Sequence, residues 1–282
     1  MIFSDPITPR SYPGLLQKPD YDPMHVMPAD FPAHPRMVTT THKLRRCAAR
    51  LKRNDGPTLA ASRHLCGICN PETPVPALPE KPDIRFCTHA AHMALRFALA
   101  DQIEPGHIFL DRALQYLRLA YKAFPHLALT GFEMELVWNI SAAYDVLAAG
   151  KLDAQDEQQF NDVFRLALPA LDRHTHLTCN NQSSFHMLAR LAVGTAMGDL
   201  QAVHDALYGC DRDGKWRYGL IHLLRHDFLA DGMHWEGAMG YHMLVMLTAT
   251  EMLTIMEHLG IDLWHRRLPP LTHDDGFDEQ RG

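Results

Sequence analysis

The sequence contains no run of 18 or more apolar residues, which excludes an ordinary membrane-spanning helix. Its start also lacks a basic stretch followed by an apolar one, because Asp5, Pro6 and Pro9 lie within the first ten residues. We therefore expect no signal peptide, no membrane partner and a cytoplasmic location. A chain of 282 residues with 46% hydrophobic and 21% charged residues is typical of a globular protein with a substantial core.

Neither positive charge nor cysteine is abundant. The formal net charge of -6 argues against general electrostatic capture of nucleic acid, so we expect no nucleic-acid partner. Six cysteines do not suggest a disulfide framework in a chain of this length. Cys66 and Cys69 have the C-x-x-C spacing of some zinc and redox sites. No second pair or βαβ pattern accompanies them, so we expect incidental thiols, with no metal and no cofactor.

Proline is scarce beyond the first third of the chain, since fourteen of the 19 prolines lie between Pro6 and Pro82. This asymmetry predicts a Pro-rich arm over residues 1–87 that cannot be continuous helix. We predict one helix within the arm, from Thr40 to Arg53, with a stripe of apolar residues surrounded by Lys and Arg. A helical domain is predicted over residues 88–265, followed by a polar tail over residues 266–282.

Convincing strand alternation is absent from the helical domain, where apolar residues recur at helical spacing. The predicted helices are Thr88–Asp101, Ile108–Ala123, Gly131–Ala149, Ala154–Arg173, Asn180–Met197, Leu200–Tyr208, Lys215–Leu229 and Ala238–Leu259. The turn signals between them predict short connections and therefore mostly antiparallel neighbours. No fixed repeat of 34 or 40 residues is evident, and an α/α toroid accommodates helices of unequal length better than a solenoid does. Periodicity alone does not choose between them; the fold class we predict is all-α, as an incomplete α/α toroid of helical hairpins.

Two polar stretches interrupt this pattern. The first, C-N-N-Q-S-S-F-H, opens a predicted helix and presents Asn181, Gln182 and His186, of which the last two share a helix face. One asparagine could serve only as an N-cap, which leaves the other polar groups unexplained. The second, D-G-M-H-W-E-G-A-M-G-Y-H from Asp231 to His242, has the glycines of a tight loop, and such loops often carry function.

These stretches together resemble the heparinase II/III-like polysaccharide lyases and the related alginate lyases. The resemblance extends from His34 to Trp264 and includes the following short motifs: His34-Pro35-Arg36, Ala143-Tyr144-Asp145, the N-N-Q stretch as far as Asp199, the loop just described, and Gly260 to Trp264. The resemblance implies an α/α toroid followed by a β-sandwich domain. It also implies β-elimination of an anionic, uronate-containing polysaccharide, in a family whose members are often periplasmic or secreted.

The resemblance assigns roles to individual residues. Asn181 would contact the uronate carboxylate, and Tyr241 would be the catalytic acid and also a candidate base. Amide donors can stabilise the charge that develops on the carboxylate when the C5 proton leaves. Gln182 occupies the position of a family histidine and cannot accept a proton at neutral pH, so His186 or His242 is the alternative base. Apart from the resemblance, we assign Glu236 to orienting the loop, because an ionised carboxylate beside a polyanionic substrate is otherwise unfavourable. Trp138, Trp216 or Trp235 could stack on any sugar ring.

Residues 266–282 show no resemblance to a β-sandwich, so we expect a chain without that domain and with weak activity. Two other functions remain open at this stage. An α/α-toroid glycoside hydrolase would use paired carboxylates such as Glu133, Glu135 or Glu236 with Asp231. A helical sugar-binding protein descended from a lyase would bind a uronate oligomer without converting it.

Overall fold

The computed structural model describes residues 26–53, 56–104, 106, 108–129, 133–173, 181–212, 215–228 and 232–266. Within these residues the chain is all-α apart from one short hairpin of two strands. No helix among these residues is both long and apolar enough to cross a membrane.

Most of the described residues lie in helices. In chain order the elements are α1 Thr41–Lys52, α2 Gly56–Ile68, α3 Ile84–Ile103, α4 Leu110–Ala123, α5 Met134–Leu147, α6 Ala154–Arg173, α7 Asn181–Met197, α8 Leu200–Tyr208, β1 Cys210–Arg212, β2 Lys215–Arg217, α9 Leu220–His226 and α10 Met239–His258. The predicted bounds of α6 and α8 are confirmed at both ends. Those of α7 and α10 are confirmed to within one residue at each end.

The arm contains two helices, whereas the sequence pattern predicted one. Helix α2 was missed because Gly56 and Pro57 suggest a break, but proline is tolerated in the first turn of a helix, where its missing N–H is not needed. Helix α3 also begins inside the predicted arm. Asp83 accepts a hydrogen bond from the backbone N of Phe86 at 2.8 Å and so caps a helix that starts at Ile84, four residues before Thr88.

The predicted helix from Lys215 to Leu229 is wrong over its first five residues, because residues 215–217 form the second strand of the hairpin and helix α9 begins only at Leu220. Gly219 explains the change. A Cβ atom there would lie 2.4 Å from the carbonyl carbon and oxygen of Leu207, so the chain passes against the end of α8 where only glycine fits. Gly219 has extended backbone angles and becomes the N-cap residue of the shorter helix α9.

Helix α7 lies at the centre of the helical packing. It contacts α5, α8 and α10, while α3 contacts α4 and α5. Residues 187–196 of α7 are all buried. Large buried side chains such as Phe97, Phe160, Phe164 and Leu191 belong to one continuous core that spans these helices. A functional group at either end of α7 is therefore held by several neighbouring helices at once.

The arm is attached to this core through Asp145, which is fully buried. Its carboxylate accepts hydrogen bonds from the backbone N of Arg36 at 2.9 and 3.0 Å and from the backbone N of Met37 at 2.8 Å. His34 Nδ1 lies 2.6 Å from the same carboxylate. The H-P-R and A-Y-D stretches, more than 100 residues apart in sequence, thus form one polar cluster.

The side chain of Arg36 connects this cluster to the C-terminal end of α7. Its Nε donates to the carbonyl oxygen of Thr195 at 2.8 Å, and Nη2 donates to that of Ala196 at 3.1 Å. The last carbonyls of a helix have no partner within the helix and carry partial negative charge, so a guanidinium stabilises them. The arm therefore holds the C-terminal end of the central helix in place.

The close approach of α7 and α8 at Gly194 predicts a destabilising substitution. A Cβ atom at Gly194 would lie 2.8 Å from the backbone N of Val203, and backbone cannot move away as a flexible side chain can. We expect Gly194→Ala to lower the free energy of unfolding by about 1–3 kcal/mol, since overpacking outweighs the better helix propensity of alanine. Thermal unfolding measures the change. Gly67→Ala is the control: nothing lies within 4 Å of its new Cβ, so equal destabilisation of both variants would contradict the explanation.

Candidate functional site

The two polar stretches meet where the loop over residues 232–237 reaches the start of α7. Glu236 Oε2 accepts a hydrogen bond from the backbone N of Asn181 at 2.9 Å. Asn181 is the first residue of α7, and the first N–H groups of a helix have no partner within it. The negative charge of Glu236 is also favoured by the helix dipole. The loop therefore caps the central helix through Glu236.

His234 is the buried centre of the same loop and was not singled out from the sequence. Its side chain is fully buried, with Nδ1 at 3.5 Å from Glu236 Oε2 and Nε2 at 4.0 Å from Asp227 Oδ2. The backbone N of Trp235 donates to the carbonyl oxygen of Asp227 at 2.9 Å, which ties the two sides of the loop together. A histidine two residues before Glu236 is the only sequence signal for this arrangement.

His242 is held by this loop in a defined tautomer. The backbone N of His234 donates to His242 Nδ1 at 3.2 Å, so Nδ1 is the acceptor nitrogen. In a neutral imidazole the other nitrogen then carries the proton. His242 Nε2 therefore acts as a hydrogen-bond donor in this conformation, and it cannot remove a proton from a substrate. This tautomer does not fit the role of base that the sequence allowed for His242, and that role stays a prediction.

Tyr241 and Asn181 both lie in the first turns of helices that contact each other, α10 and α7. Tyr241 is 46% exposed, so it is accessible from solvent. Gln182 and Trp235 are half-buried. Amide, phenol, imidazole and indole groups are thus contributed by the start of α7, the loop and the start of α10. This is a set of groups that can donate several hydrogen bonds to an anion.

Two further candidate residues, His186 and Trp138, line separate cavities. His186 lines a small cavity of about 40 Å³ with Arg190, Asp172 and Asp205, beside the strand hairpin. Arg190 and Asp172 form an ion pair there, between α7 and the end of α6. Trp138 instead lines a larger, mostly apolar cavity with Phe185 and Leu188, which lie on another side of α7. The structure does not describe Asp231 or the side chain of Trp216.

Two of the carboxylates considered for hydrolysis and the two cysteines of the C-x-x-C pair lie away from the loop over residues 232–237 in sequence. Glu133 is buried just before α5, and Glu135 lies 3.4 Å from His92 Nε2.

Burial raises the pKa of the Cys69 thiol to about 11, and burial and Glu104 raise the pKa of Cys66 as well. Both thiols are therefore poor nucleophiles at neutral pH. Within the part of the chain that the structure describes, no group of three or more His, Cys, Asp or Glu is arranged to hold a metal ion.

Burial lowers the pKa of His234 from 6.5 to about 4, and the nearby His242 acts in the same direction. Burial and Lys43 similarly lower the pKa of His258, whose Nδ1 contacts the carbonyl oxygen of Met37 at 2.6 Å. A pKa that is lower in the folded state means that the folded protein favours neutral imidazole. For His234 this contribution to stability is complete above pH 6.5 and is lost as the pH falls from there through about 4.

We accordingly expect the free energy of unfolding to fall by about 2–3 kcal/mol for His234 alone between about pH 7 and pH 4. Urea unfolding at a series of pH values measures this slope. Carboxylates also titrate in this range, so the comparison is with His234→Gln, which cannot protonate. The variant should be less stable at neutral pH and should lose less stability on acidification. Parallel pH profiles for the two proteins would contradict the explanation.

Comparison with models of known protein families gives no match, and comparison with curated protein sequences gives no significant match.

Proposed function

We propose that the protein is a polysaccharide lyase that cleaves an anionic, uronate-containing polysaccharide by β-elimination. The observation that carries this proposal is the hydrogen bond from the Asn181 backbone N to Glu236, which joins the two lyase-like stretches across 55 residues of sequence. The combination of Asn181, Gln182, His242 and Tyr241 at one end of two packed helices suits the recognition of a carboxylate beside an acidic proton.

The reaction would require stabilisation of charge on the uronate carboxylate. When a base removes the C5 proton, the electron pair forms the C4=C5 double bond and the C4–O4 bond breaks. Negative charge spreads onto the carboxylate in the transition state, where the amides of Asn181 and Gln182 and the Nε2–H of His242 would donate hydrogen bonds. Because these donors are uncharged, they bind the carboxylate of the unreacted substrate only moderately. Their stabilisation is therefore greater in the transition state than in the ground state.

Tyr241 would transfer protons at the scissile bond. As an acid its hydroxyl would protonate the departing O4, and in its ionised form it would accept the C5 proton. His242 Nε2 would act only as a hydrogen-bond donor, because His242 Nδ1 accepts a hydrogen bond from the backbone N of His234. Glu236 and His234 would position the site without touching the substrate. A carboxylate near a polyanion is unfavourable, but Glu236 is already bound to the positive end of α7.

The toroid architecture is part of the same proposal. Helices α3, α5 and α7 pack in succession, while α4 packs on α3 and α8 packs on α7. Alternate helices of a toroid form an inner ring in this way, and the intervening helices form the outer ring. This packing supports an incomplete α/α toroid in which the starts of α7 and α10 border the central cleft.

The proposal is tested by incubating the protein with alginate, heparan-type, hyaluronan and ulvan-type polymers. Elimination creates a conjugated, unsaturated uronate that absorbs in the ultraviolet, whereas hydrolysis creates new reducing ends without this absorbance. We expect absorbance and reducing ends to rise together on at least one polymer. Reducing ends without absorbance would instead identify a hydrolase. Binding without either product would identify a sugar-binding protein.

Asn181→Ala should lower kcat about 10²-fold, with a smaller change in KM, because its amide acts mainly in the transition state. The contact with Glu236 uses the backbone N of Asn181, so alanine retains the helix cap. Initial rates of absorbance on the best polymer provide the measurement. Gln158→Ala is the control, because it removes an exposed amide from α6 and should leave the rate unchanged. Equal rates for Asn181→Ala and the parent would contradict the assigned role.

A further inference from the structure

A cavity of about 350 Å³ lies between α5, α7 and α10, and neither Asn181, Glu236 nor Tyr241 lines it. Its walls include Trp138 from α5, Phe185 and Leu188 from α7, and Leu247 from α10. The volume is within the range of small-molecule sites, which are usually apolar with a few polar groups. An anionic sugar polymer does not suit these walls, so the cavity calls for a different ligand.

Two carboxylates interrupt the apolar lining. Glu251 on α10 is half-buried, and Glu135 on α5 is more exposed and lies 3.4 Å from His92. Glu251 makes no hydrogen bond or ion pair with any residue that the structure describes, and none of the residues lining the cavity is a lysine or arginine. Burial raises the pKa of Glu251. A half-buried carboxylate without a counter-charge is stabilised when a cation binds beside it.

The aromatic walls have the same preference. The faces of Trp138 and Phe185 can interact favourably with an ammonium group, because aromatic faces carry partial negative charge. The cavity therefore combines apolar surface, aromatic rings and a carboxylate to which no described residue is paired.

We propose that this cavity binds a small amphipathic organic cation, an amine or ammonium compound with an apolar body. The ammonium group would lie beside Glu251, and the apolar body would contact Leu188 and Leu247. This site does not depend on the polysaccharide lyase function, since none of its residues is needed for the elimination reaction described above.

The experiment is isothermal titration of the full chain with three probes that share one apolar body: 4-phenylbutylamine, 4-phenylbutanol and 4-phenylbutyrate. We expect the amine to bind about tenfold more tightly than the alcohol, because only the amine adds an attraction to Glu251. The carboxylate should bind more weakly than the alcohol, because it is repelled. Binding of the carboxylate as tightly as the amine would overturn the proposal, as would the absence of binding by all three at millimolar concentration.

Two variants locate the site. Glu251→Gln should remove most of the preference for the amine over the alcohol, whereas Glu257→Gln, an exposed position on the same helix, should leave the preference unchanged. Leu247→Trp should lower the binding affinity of all three probes about tenfold or more, because the larger side chain fills the cavity. Leu247 is 54% exposed, so this side chain is compatible with folding. A preference for the amine that survives Glu251→Gln would overturn the assignment.

Discussion

Asp145→Ala is expected to destabilise the protein by about 3–5 kcal/mol. The carboxylate is fully buried and accepts hydrogen bonds from the backbone N of both Arg36 and Met37. Alanine would leave those two N–H groups without acceptors in a buried environment and would also remove the partner of His34. The arm would then detach from α5, and Arg36 would no longer be held at the end of α7.

Urea unfolding of the parent and the variant measures this loss. Asp162→Ala is the matched control, because Asp162 is exposed and forms a surface ion pair with Arg165 at 3.5 Å. Surface pairs of this kind contribute about 0–1 kcal/mol. Limited proteolysis gives a second measurement, since a detached arm should be cleaved before the helical core. An Asp145→Ala protein as stable as the control would show that the arm does not support the core.

Tyr241→Phe is expected to reduce elimination by about 10²-fold or more, and to leave the fold unchanged. The substitution removes only the hydroxyl that would donate a proton to O4 and accept the C5 proton. Tyr241 is 46% exposed and lies in the first turn of α10, so phenylalanine preserves the packing of the side chain. Because both proton transfers involve the same hydroxyl, the loss should appear in kcat more than in KM.

The control for this prediction is Tyr144→Phe, which removes a hydroxyl from a half-buried tyrosine stacked on Phe160. Circular dichroism and thermal unfolding should show that both variants are folded. The ultraviolet absorbance of the unsaturated product then gives the rates. If Tyr241→Phe cleaved as fast as the parent, Tyr241 would not be the proton-transferring group, and the role of acid would have to be assigned to another residue.

Local sequence patterns predict much of the helical structure. The helices α6 and α8 follow directly from apolar spacing and from their flanking residues, such as Asp199, which accepts from the backbone N of Gln201 and Ala202. The errors have local causes too. Pro57 suggested a break where helix α2 begins. The second strand of the hairpin takes the place of the first residues of a predicted helix, and Gly219 then passes close to Leu207 where a helix was expected.

Contacts between distant segments could not be predicted in the same way. The sequence suggested that Asn181, Glu236 and Tyr241 belong to one site, but it gave no reason for a hydrogen bond between Glu236 and the backbone of Asn181. Backbone N–H groups are the same in every residue except proline, so no residue type marks them as partners. For the same reason the sequence did not predict the hydrogen bond from the backbone N of Arg36 to Asp145. It also did not predict the burial of His234.

The most direct test of the proposed elimination is the mass of the products formed from a uronate oligosaccharide of defined length. Elimination divides the chain without adding water, so the masses of the two products sum to the mass of the substrate. Hydrolysis adds the mass of one water molecule to that sum. The lyase account predicts products without added water, formed by the parent and strongly reduced with Tyr241→Phe. Products that contain the added water, or an intact substrate for every uronate oligosaccharide, would contradict it.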